Sequence, residues 1–195
     1  MDETRLMKSW QAGDEGAFTE LYQLYKTPAI RAAYLITGSQ CDSENVLQDT
    51  FLKCYQSIGS LRDAEGFKSW FYRILTRTAW DYCKKRDRES PVADVFDAYQ
   101  AKEPKGRSTL DILTDQEQEH ELLAAINRLP LKQKTVIILY YYNELSVGEI
   151  AAATGALTGT VKSRLFMARQ NLRGYLADAG KGETYHGLPK ISNRA

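Results

Sequence analysis

The chain has 195 residues, of which 43% are hydrophobic and 26% charged, a composition typical of a globular protein rather than a disordered one. No apolar run approaches the ~20 residues that a membrane-crossing helix needs, and the first residues lack the profile of a signal peptide. Three cysteines without CxxC spacing and two distant histidines argue against a zinc or disulfide framework. We therefore expect a cytoplasmic protein with no metal or other cofactor.

The net charge of +1 conceals an uneven distribution along the chain. Residues 1–86 are nearly neutral, with 12 basic and 11 acidic residues. Residues 87–121 carry 4 basic and 10 acidic residues, whereas residues 122–195 carry 10 basic and 4 acidic residues. A basic C-terminal segment of this kind points to a nucleic-acid partner.

Helical periodicity runs through the first 86 residues, and no segment alternates as a strand would. A short first helix ends at Gly13, and Asp14 can cap the second. Pro28 suits the first turn of a third helix, which would run to Gly38.

Two more helices complete a predicted N-terminal bundle. Asp42 or Ser43 can cap the fourth, which turns its apolar face inward. Residues 59–66 have the composition of a loop, and a fifth helix is predicted from Phe67 to Arg86. The predicted core of this bundle is rich in aromatic side chains.

The periodicity fades after residue 87, where proline, glycine and charged residues accumulate. A long stretch without structure is uncommon within one domain, so the chain is predicted to form two. We predict an all-α fold of two small helical domains, a helical bundle and a helix-turn-helix domain, joined by a flexible acidic linker. The predicted boundaries are 1–88 for the first domain, 89–115 for the linker, 116–177 for the second domain and 178–195 for a disordered tail.

The second domain ends in a predicted helix-turn-helix. A helix from Leu131 to Tyr142 precedes Ser146 and Glu149, which have the spacing of a capping box at the start of a short helix. Gly155 permits a tight turn, and Thr158 can cap the helix that follows, over residues 159–176.

This last helix is basic and has no acidic residue before Asp178. A recognition helix presents its N-terminal half to base edges in the major groove and its basic flanks to phosphates. Lys162 can reach guanine acceptors, and the ring of Phe166 can meet a thymine methyl group. The alternative is a solvated basic helix in an interaction domain. The candidate DNA-binding residues are Thr158, Thr160, Lys162, Ser163, Arg164, Phe166 and Arg169.

Several segments resemble one family. Leu145–Ala151 followed by Gly159–Leu165 is similar to conserved region four of the extracytoplasmic-function (ECF) sigma factors, as is Leu129–Lys134 before them. Val46–Lys53 and Phe67–Ile74 resemble region two. The resemblance implies a transcription initiation factor without enzymatic activity, monomeric when free, that carries RNA polymerase to promoters.

The resemblance also assigns surfaces in the first domain. It implies that the helix around Asp49 docks on a coiled coil of the largest subunit of core RNA polymerase, through Asn45, Gln48, Asp49 and Leu52. It implies that the fifth helix and the preceding loop melt and read the minus-ten promoter element, through Arg62, Lys68, Arg73, Arg77 and Lys84. Tyr72 and Trp80 are either stacking platforms for bases or packing residues.

The remaining expectations come from the same resemblance. An anti-sigma factor, often anchored in the membrane, is implied as a partner beside promoter DNA. The acidic linker either occupies basic channels of the polymerase or only keeps the connection extended and soluble. Arg77 stands where many members have asparagine, and Met167 replaces a common arginine, so promoter preference is expected to differ.

Two other classes of function compete with this one. An enzyme is disfavoured because the sequence has no glycine-rich phosphate loop, nucleophile motif or metal cluster. A helix-turn-helix regulator would use the same C-terminal motif, with the N-terminal bundle as a sensor or dimerisation domain. Such a regulator would bind duplex DNA alone, usually as a dimer on a palindrome.

Overall fold

The computed structural model describes residues 3–61, 63–89 and 121–178, and the regular elements within these ranges are all helical. The N-terminal unit consists of α1 (Glu3–Gln11), α2 (Glu15–Thr37), α3 (Gln40–Ser57) and α4 (Phe67–Glu89). The C-terminal unit consists of α5 (residues 121–127), α6 (Leu131–Tyr141), α7 (Val147–Thr154) and α8 (Thr158–Asp178). The all-α prediction is confirmed. The predicted linker beyond Glu89 and the predicted tail after Asp178 lie outside the described residues.

Two of the predicted helix ends have the expected local geometry. The carboxylate of Asp14 accepts hydrogen bonds from the backbone N–H groups of Gly16 and Ala17, at 2.9 and 3.3 Å, and so caps α2. Gly38 follows α2 in the left-handed conformation, with φ of 71°, and its N–H donates to the carbonyl of Tyr34.

Two predicted helix starts are wrong. Pro28 lies inside α2, which is 23 residues long and continues through the proline to Thr37. Burial outweighs the lost backbone hydrogen bond, because the alanines of the following turns pack completely against neighbouring helices: Ala29, Ala32 and Ala33. The cap of α3 is Ser39 rather than Asp42 or Ser43, since the Ser39 hydroxyl accepts the N–H of Asp42 at 3.2 Å.

The segment between α3 and α4 is more ordered than a simple loop. It contains two single 3-10 turns, Ile58–Ser60 and Ala64–Gly66. The side chain of Asp63 caps the second turn by accepting the N–H of Glu65 at 3.0 Å. Arg62, one of the candidate DNA-binding residues, lies outside the described residues.

An aromatic cluster fills the N-terminal unit, as predicted. The ring of Phe71 on α4 lies 4.7 Å from that of Tyr25 on α2 and 5.3 Å from that of Phe51 on α3. Phe71 is fully buried, so α4 is anchored to the bundle by its aromatic face.

The two units pack directly against each other. α4 and α2 of the N-terminal unit contact α7 and α6 of the C-terminal unit, and the buried hydrophobic residues form one continuous cluster. Within residues 3–61, 63–89 and 121–178, no helix combines the length and apolarity needed to cross a membrane.

Candidate nucleic-acid interfaces

The capping box predicted at the start of α7 is present. The Ser146 hydroxyl accepts the N–H of Glu149 at 3.2 Å, and the Glu149 carboxylate accepts the N–H of Ser146 at 2.7 Å. Gly155 ends α7 with φ of 66°, and its N–H donates to the carbonyl of Ala151. These contacts fix the short turn that joins α7 to α8.

A small apolar core holds the two helices of this motif together. Ile150 of α7 and Val161 of α8 are fully buried, and Leu165 is nearly so. α8 begins at Thr158, one residue before the predicted start, and Val161 donates to the carbonyl of Leu157. The arrangement is the predicted helix-turn-helix.

The first half of α8 presents a largely exposed polar and basic face. Thr158, Lys162, Ser163 and Phe166 are exposed, whereas Thr160 and Arg164 are half-buried. The ring of Phe166 is 56% exposed although it is apolar, which suits a surface that meets another molecule. Basic and apolar side chains together can contact phosphates and thymine methyl groups.

Arg169 differs from the other candidate residues of α8 because it is bound within the protein. Its Nε donates to the Tyr141 hydroxyl at 3.0 Å, and its guanidinium lies 5.8 and 5.9 Å from the ring centroids of Tyr141 and Tyr140. Arg169 therefore ties α8 to α6. The tyrosine run at the end of α6 was the sequence signal for this contact.

The basic residues predicted on α4 form an exposed stripe. Arg73, Arg77 and Lys84 are exposed, and Lys68 is half-buried at the start of the helix. The Lys84 ammonium lies 3.9 Å from the Asp81 carboxylate on the same helix, a long ion pair. A stripe of this kind is available to a phosphate backbone.

The aromatic candidates of α4 point toward the C-terminal unit instead. The Tyr72 hydroxyl accepts a hydrogen bond from the Asn143 amide at 2.8 Å, and burial raises the pKa of Tyr72. The Trp80 indole N–H donates to the Thr135 hydroxyl at 2.9 Å. In this arrangement both side chains are packing residues.

The predicted docking face on α3 is partly tied to α4. Gln48 and Leu52 are exposed, but Asn45 and Asp49 are half-buried rather than freely exposed as expected. The Tyr82 hydroxyl of α4 donates to the Asp49 carboxylate at 3.1 Å. Burial and this carboxylate both raise the pKa of Tyr82. The sequence gave no sign of this partner for Tyr82.

One exposed aromatic residue beside this face was missed. Tyr55 of α3 is 48% exposed and lies one helical turn from Leu52, which is 56% exposed. Its ring also contacts that of Phe18 at 5.3 Å, and this edge-on contact orients it. Its position on the predicted solvent side of α3 was the available signal.

Comparison with known proteins identifies both halves of the chain. Residues 21–89 match sigma-70 region 2, and residues 119–172 match sigma-70 region 4. The chain is 32% identical over 153 residues to the RNA polymerase sigma factor SigV of Bacillus subtilis, covering 76% of this chain and 84% of SigV. It is 30% identical over 178 residues to the ECF RNA polymerase sigma factor SigW of the same organism, covering 88% of this chain and 95% of SigW. This chain belongs to the ECF sigma factors.

A solved structure supports the same assignment for this sigma factor. The sigma factor RpoE from Bartonella quintana, in complex with the anti-sigma factor NepR, superposes with a TM-score of 0.65 at 27% identity. The match covers 82% of this chain and 96% of that one. Region 2 thus spans most of α2 together with α3 and α4, and region 4 contains the helix-turn-helix. Sigma factors are regulatory initiation factors rather than enzymes.

Proposed function

We propose that this alternative sigma factor binds core RNA polymerase, recognises the minus-thirty-five and minus-ten promoter elements and helps to melt the DNA. The observation that carries the proposal is the pairing of two regions in one chain. Region 2 carries an exposed basic stripe on α4, and region 4 carries an exposed basic face on α8.

The minus-thirty-five element is assigned to α8. Its N-terminal half would enter the major groove, with Lys162 and Phe166 toward base edges and Thr158, Thr160, Ser163 and Arg164 toward bases or phosphates. Arg169, because it is held by Tyr141, would act by fixing α8 on α6 as well as by its charge.

The minus-ten element is assigned to α4 and the loop before it. Arg73, Arg77 and Lys84 would hold phosphates of the opened strand, with Arg62 and Lys68 at the loop end. A base must leave the helical stack before its edges can be read at this site. The opened strand would therefore be bound as single-stranded DNA.

Polymerase docking is assigned to the exposed face of α3. Asn45, Gln48 and Asp49 would form a polar rim around an apolar contact at Leu52, on the coiled coil of the largest polymerase subunit. We also expect the free protein to be a monomer, since this face would bind the polymerase rather than a second copy of the chain.

An anti-sigma factor is the expected inhibitor. The similar sigma factor RpoE is bound to the anti-sigma factor NepR in its solved structure. We expect this sigma factor to act in the cytoplasm and to be restrained by a partner of that class, which would hold it at the membrane if anchored there.

The competing function is a regulator that binds duplex DNA alone. Nothing in the packing of α1 to α4 favours a sensor or dimerisation role over the region 2 match. The two functions differ in whether polymerase is required.

Run-off transcription decides between them. Core polymerase and a mixed genomic template are incubated with and without the protein, and new discrete transcripts are expected. Their start sites would locate both promoter elements. Absence of transcripts, together with specific binding of the protein alone to duplex DNA, would overturn the sigma assignment in favour of the regulator.

A further inference from the structure

The connection between α3 and α4 contains hydrogen bonds that act over only a few residues. The structure describes this connection on both sides of Arg62. Within each described turn, a backbone N–H donates to an acceptor two or three residues earlier, from Leu61 to Ile58 at 3.1 Å and from Glu65 to Asp63 at 3.0 Å. Such local bonds shape each turn but do not fix the place of the connection on the bundle.

One hydrogen bond reaches this connection from the first helix. The side-chain amide of Gln11, the last residue of α1, donates to the backbone carbonyl of Leu61 at 2.7 Å, although the two residues are 50 positions apart. Leu61 and Ala64 are buried, so their side chains anchor the connection. α1 also contacts the second 3-10 turn directly. The place of the connection on the bundle therefore depends on α1.

The first helix is itself held firmly on the bundle. Met7 is fully buried and Trp10 nearly so, which anchors the second half of α1. At the start of α1, the Glu3 carboxylate accepts a hydrogen bond from the Tyr25 hydroxyl of α2. Gln11 thus extends from a helix that is fixed near both of its ends.

A fixed connection suits the binding of an unstacked base. The polar side chains of Ser60, Asp63 and Glu65 are exposed, so they are open to a ligand. A loop that has to be ordered when its ligand arrives loses conformational entropy at that moment, and this loss weakens binding. A loop that is already fixed avoids most of that loss.

We propose that Gln11 is a positioning residue for minus-ten recognition, whose bond to the Leu61 carbonyl fixes the α3–α4 connection in the shape that receives the unstacked base. Gln11 acts through the connection and makes no contact with DNA. The inference rests on the proposed role of this connection in minus-ten recognition. It adds α1, which precedes the region 2 match at residues 21–89, to the parts of the chain that serve promoter opening.

Hydrogen exchange tests the bond in the full chain. Gln11→Met keeps the length of the side chain and removes the donor, and Gln23→Met makes the same change at an exposed position of α2. Exchange of the backbone amides of residues 58–66, followed by mass spectrometry, should become about two- to tenfold faster in Gln11→Met, as expected for one lost neutral hydrogen bond. Gln23→Met should exchange like the wild type. Unchanged exchange in Gln11→Met would overturn the inference.

Binding of single-stranded DNA tests the consequence for recognition. Holoenzyme is titrated with a minus-ten oligonucleotide that is either intact or lacks one base, with each position tested in turn. The wild type should prefer the intact oligonucleotide over the one that lacks the captured base. Gln11→Met should reduce this ratio of affinities about two- to tenfold, and Gln23→Met should retain it. A role of Gln11 in stability alone would weaken both affinities equally and leave the ratio unchanged.

The wild-type ratio separates this inference from the proposed function. A wild type that binds the intact and abasic oligonucleotides equally would overturn the minus-ten role of the connection, and the positioning role with it. A wild-type preference that Gln11→Met retains in full would overturn the positioning role alone. A reduced ratio with unchanged hydrogen exchange would make Gln11 a direct DNA contact and would also overturn the inference.

Discussion

Some side chains of α3 and α4 contribute both to the packing of the helices and to the proposed interfaces. Asp49 is half-buried and accepts a hydrogen bond from Tyr82, so this carboxylate of the proposed docking face has a fixed position in the free protein. A fixed side chain loses less conformational entropy on binding than a free one. In the proposed docking, Tyr82 would thus contribute by orienting Asp49 without belonging to the docking face.

Reversal of the charge at position 49 should abolish polymerase binding. Asp49→Arg places a cation in the polar rim of the docking face and removes the acceptor of Tyr82. Binding to core polymerase is measured by fluorescence anisotropy. Glu20→Arg makes the same charge change at an exposed position of α2, outside this face, and should bind normally. Undiminished binding by a folded Asp49→Arg protein would refute the docking assignment.

Lys162 on α8 gives a second prediction at this scale. Lys162→Ala should weaken promoter binding by about 1–3 kcal/mol if the ammonium reads a base. The loss is measured with polymerase holoenzyme on promoters that differ at single positions of the minus-thirty-five element, and it should concentrate at one base pair. An equal loss on every promoter, with a smaller salt dependence, would make Lys162 a phosphate contact.

Helix ends show how much of the fold the sequence determines locally. Asp14, Gly38, the Ser146–Glu149 box and Gly155 were predicted correctly because each acts on backbone groups within a few residues. The start of α3 at Ser39 and the passage of α2 through Pro28 were not predicted. The passage through Pro28 depends on packing between helices, which local propensity does not describe. Ser39, Asp42 and Ser43 are all residues that favour a helix start, so the sequence alone did not select among them.

The same division applies to the candidate sites. The exposed cations of α8 were predicted from the basic last helix itself, and those of α4 from the family resemblance. The covering of Tyr72 and Trp80 and the anchoring of Arg169 depend on contacts with residues 28 to 71 positions away. The sequence left Tyr72 and Trp80 as either stacking platforms or packing residues, and it gave Arg169 as a DNA-binding candidate. Helical periodicity could not identify partners so distant in sequence.

The capping box of α7 gives a prediction at the scale of a helix. Ser146→Ala removes the hydroxyl that accepts the Glu149 N–H, so unfolding free energy should fall by about 1 kcal/mol. Urea denaturation followed by circular dichroism measures the change. Ser163→Ala, at an exposed position inside α8, should cause no loss because alanine favours helix. Equal stabilities of the two variants would show that the cap adds nothing.

At the scale of the whole molecule, one buried lysine opposes the packing of the two units. Burial lowers the pKa of Lys134, and the nearby Arg86 guanidinium lowers it further, so the protonated lysine favours a solvated, separated arrangement. The free-energy cost of burying the charged ammonium is removed when an apolar group of similar length replaces it.

Lys134→Met should therefore raise the free energy of unfolding, because the cost of burying the ammonium disappears. Urea denaturation at neutral pH measures the change, and its midpoint should move to a higher urea concentration. Lys132→Met changes an exposed lysine of the same helix and should leave the midpoint unchanged. A lower midpoint for Lys134→Met would mean that the ammonium stabilises the packing.

The hydrogen bonds between the units, from Asn143 to Tyr72 and from Trp80 to Thr135, have a consequence for any ligand that binds only when the units are separated. When only a fraction of the molecules is competent to bind, each apparent dissociation constant is the intrinsic one divided by that fraction. Substitutions at Thr135, Asn143 or Lys134 would rescale the affinities of all such ligands by one common factor. Mutations remote from any DNA contact could thus set the strength of transcription while leaving the choice of promoter untouched.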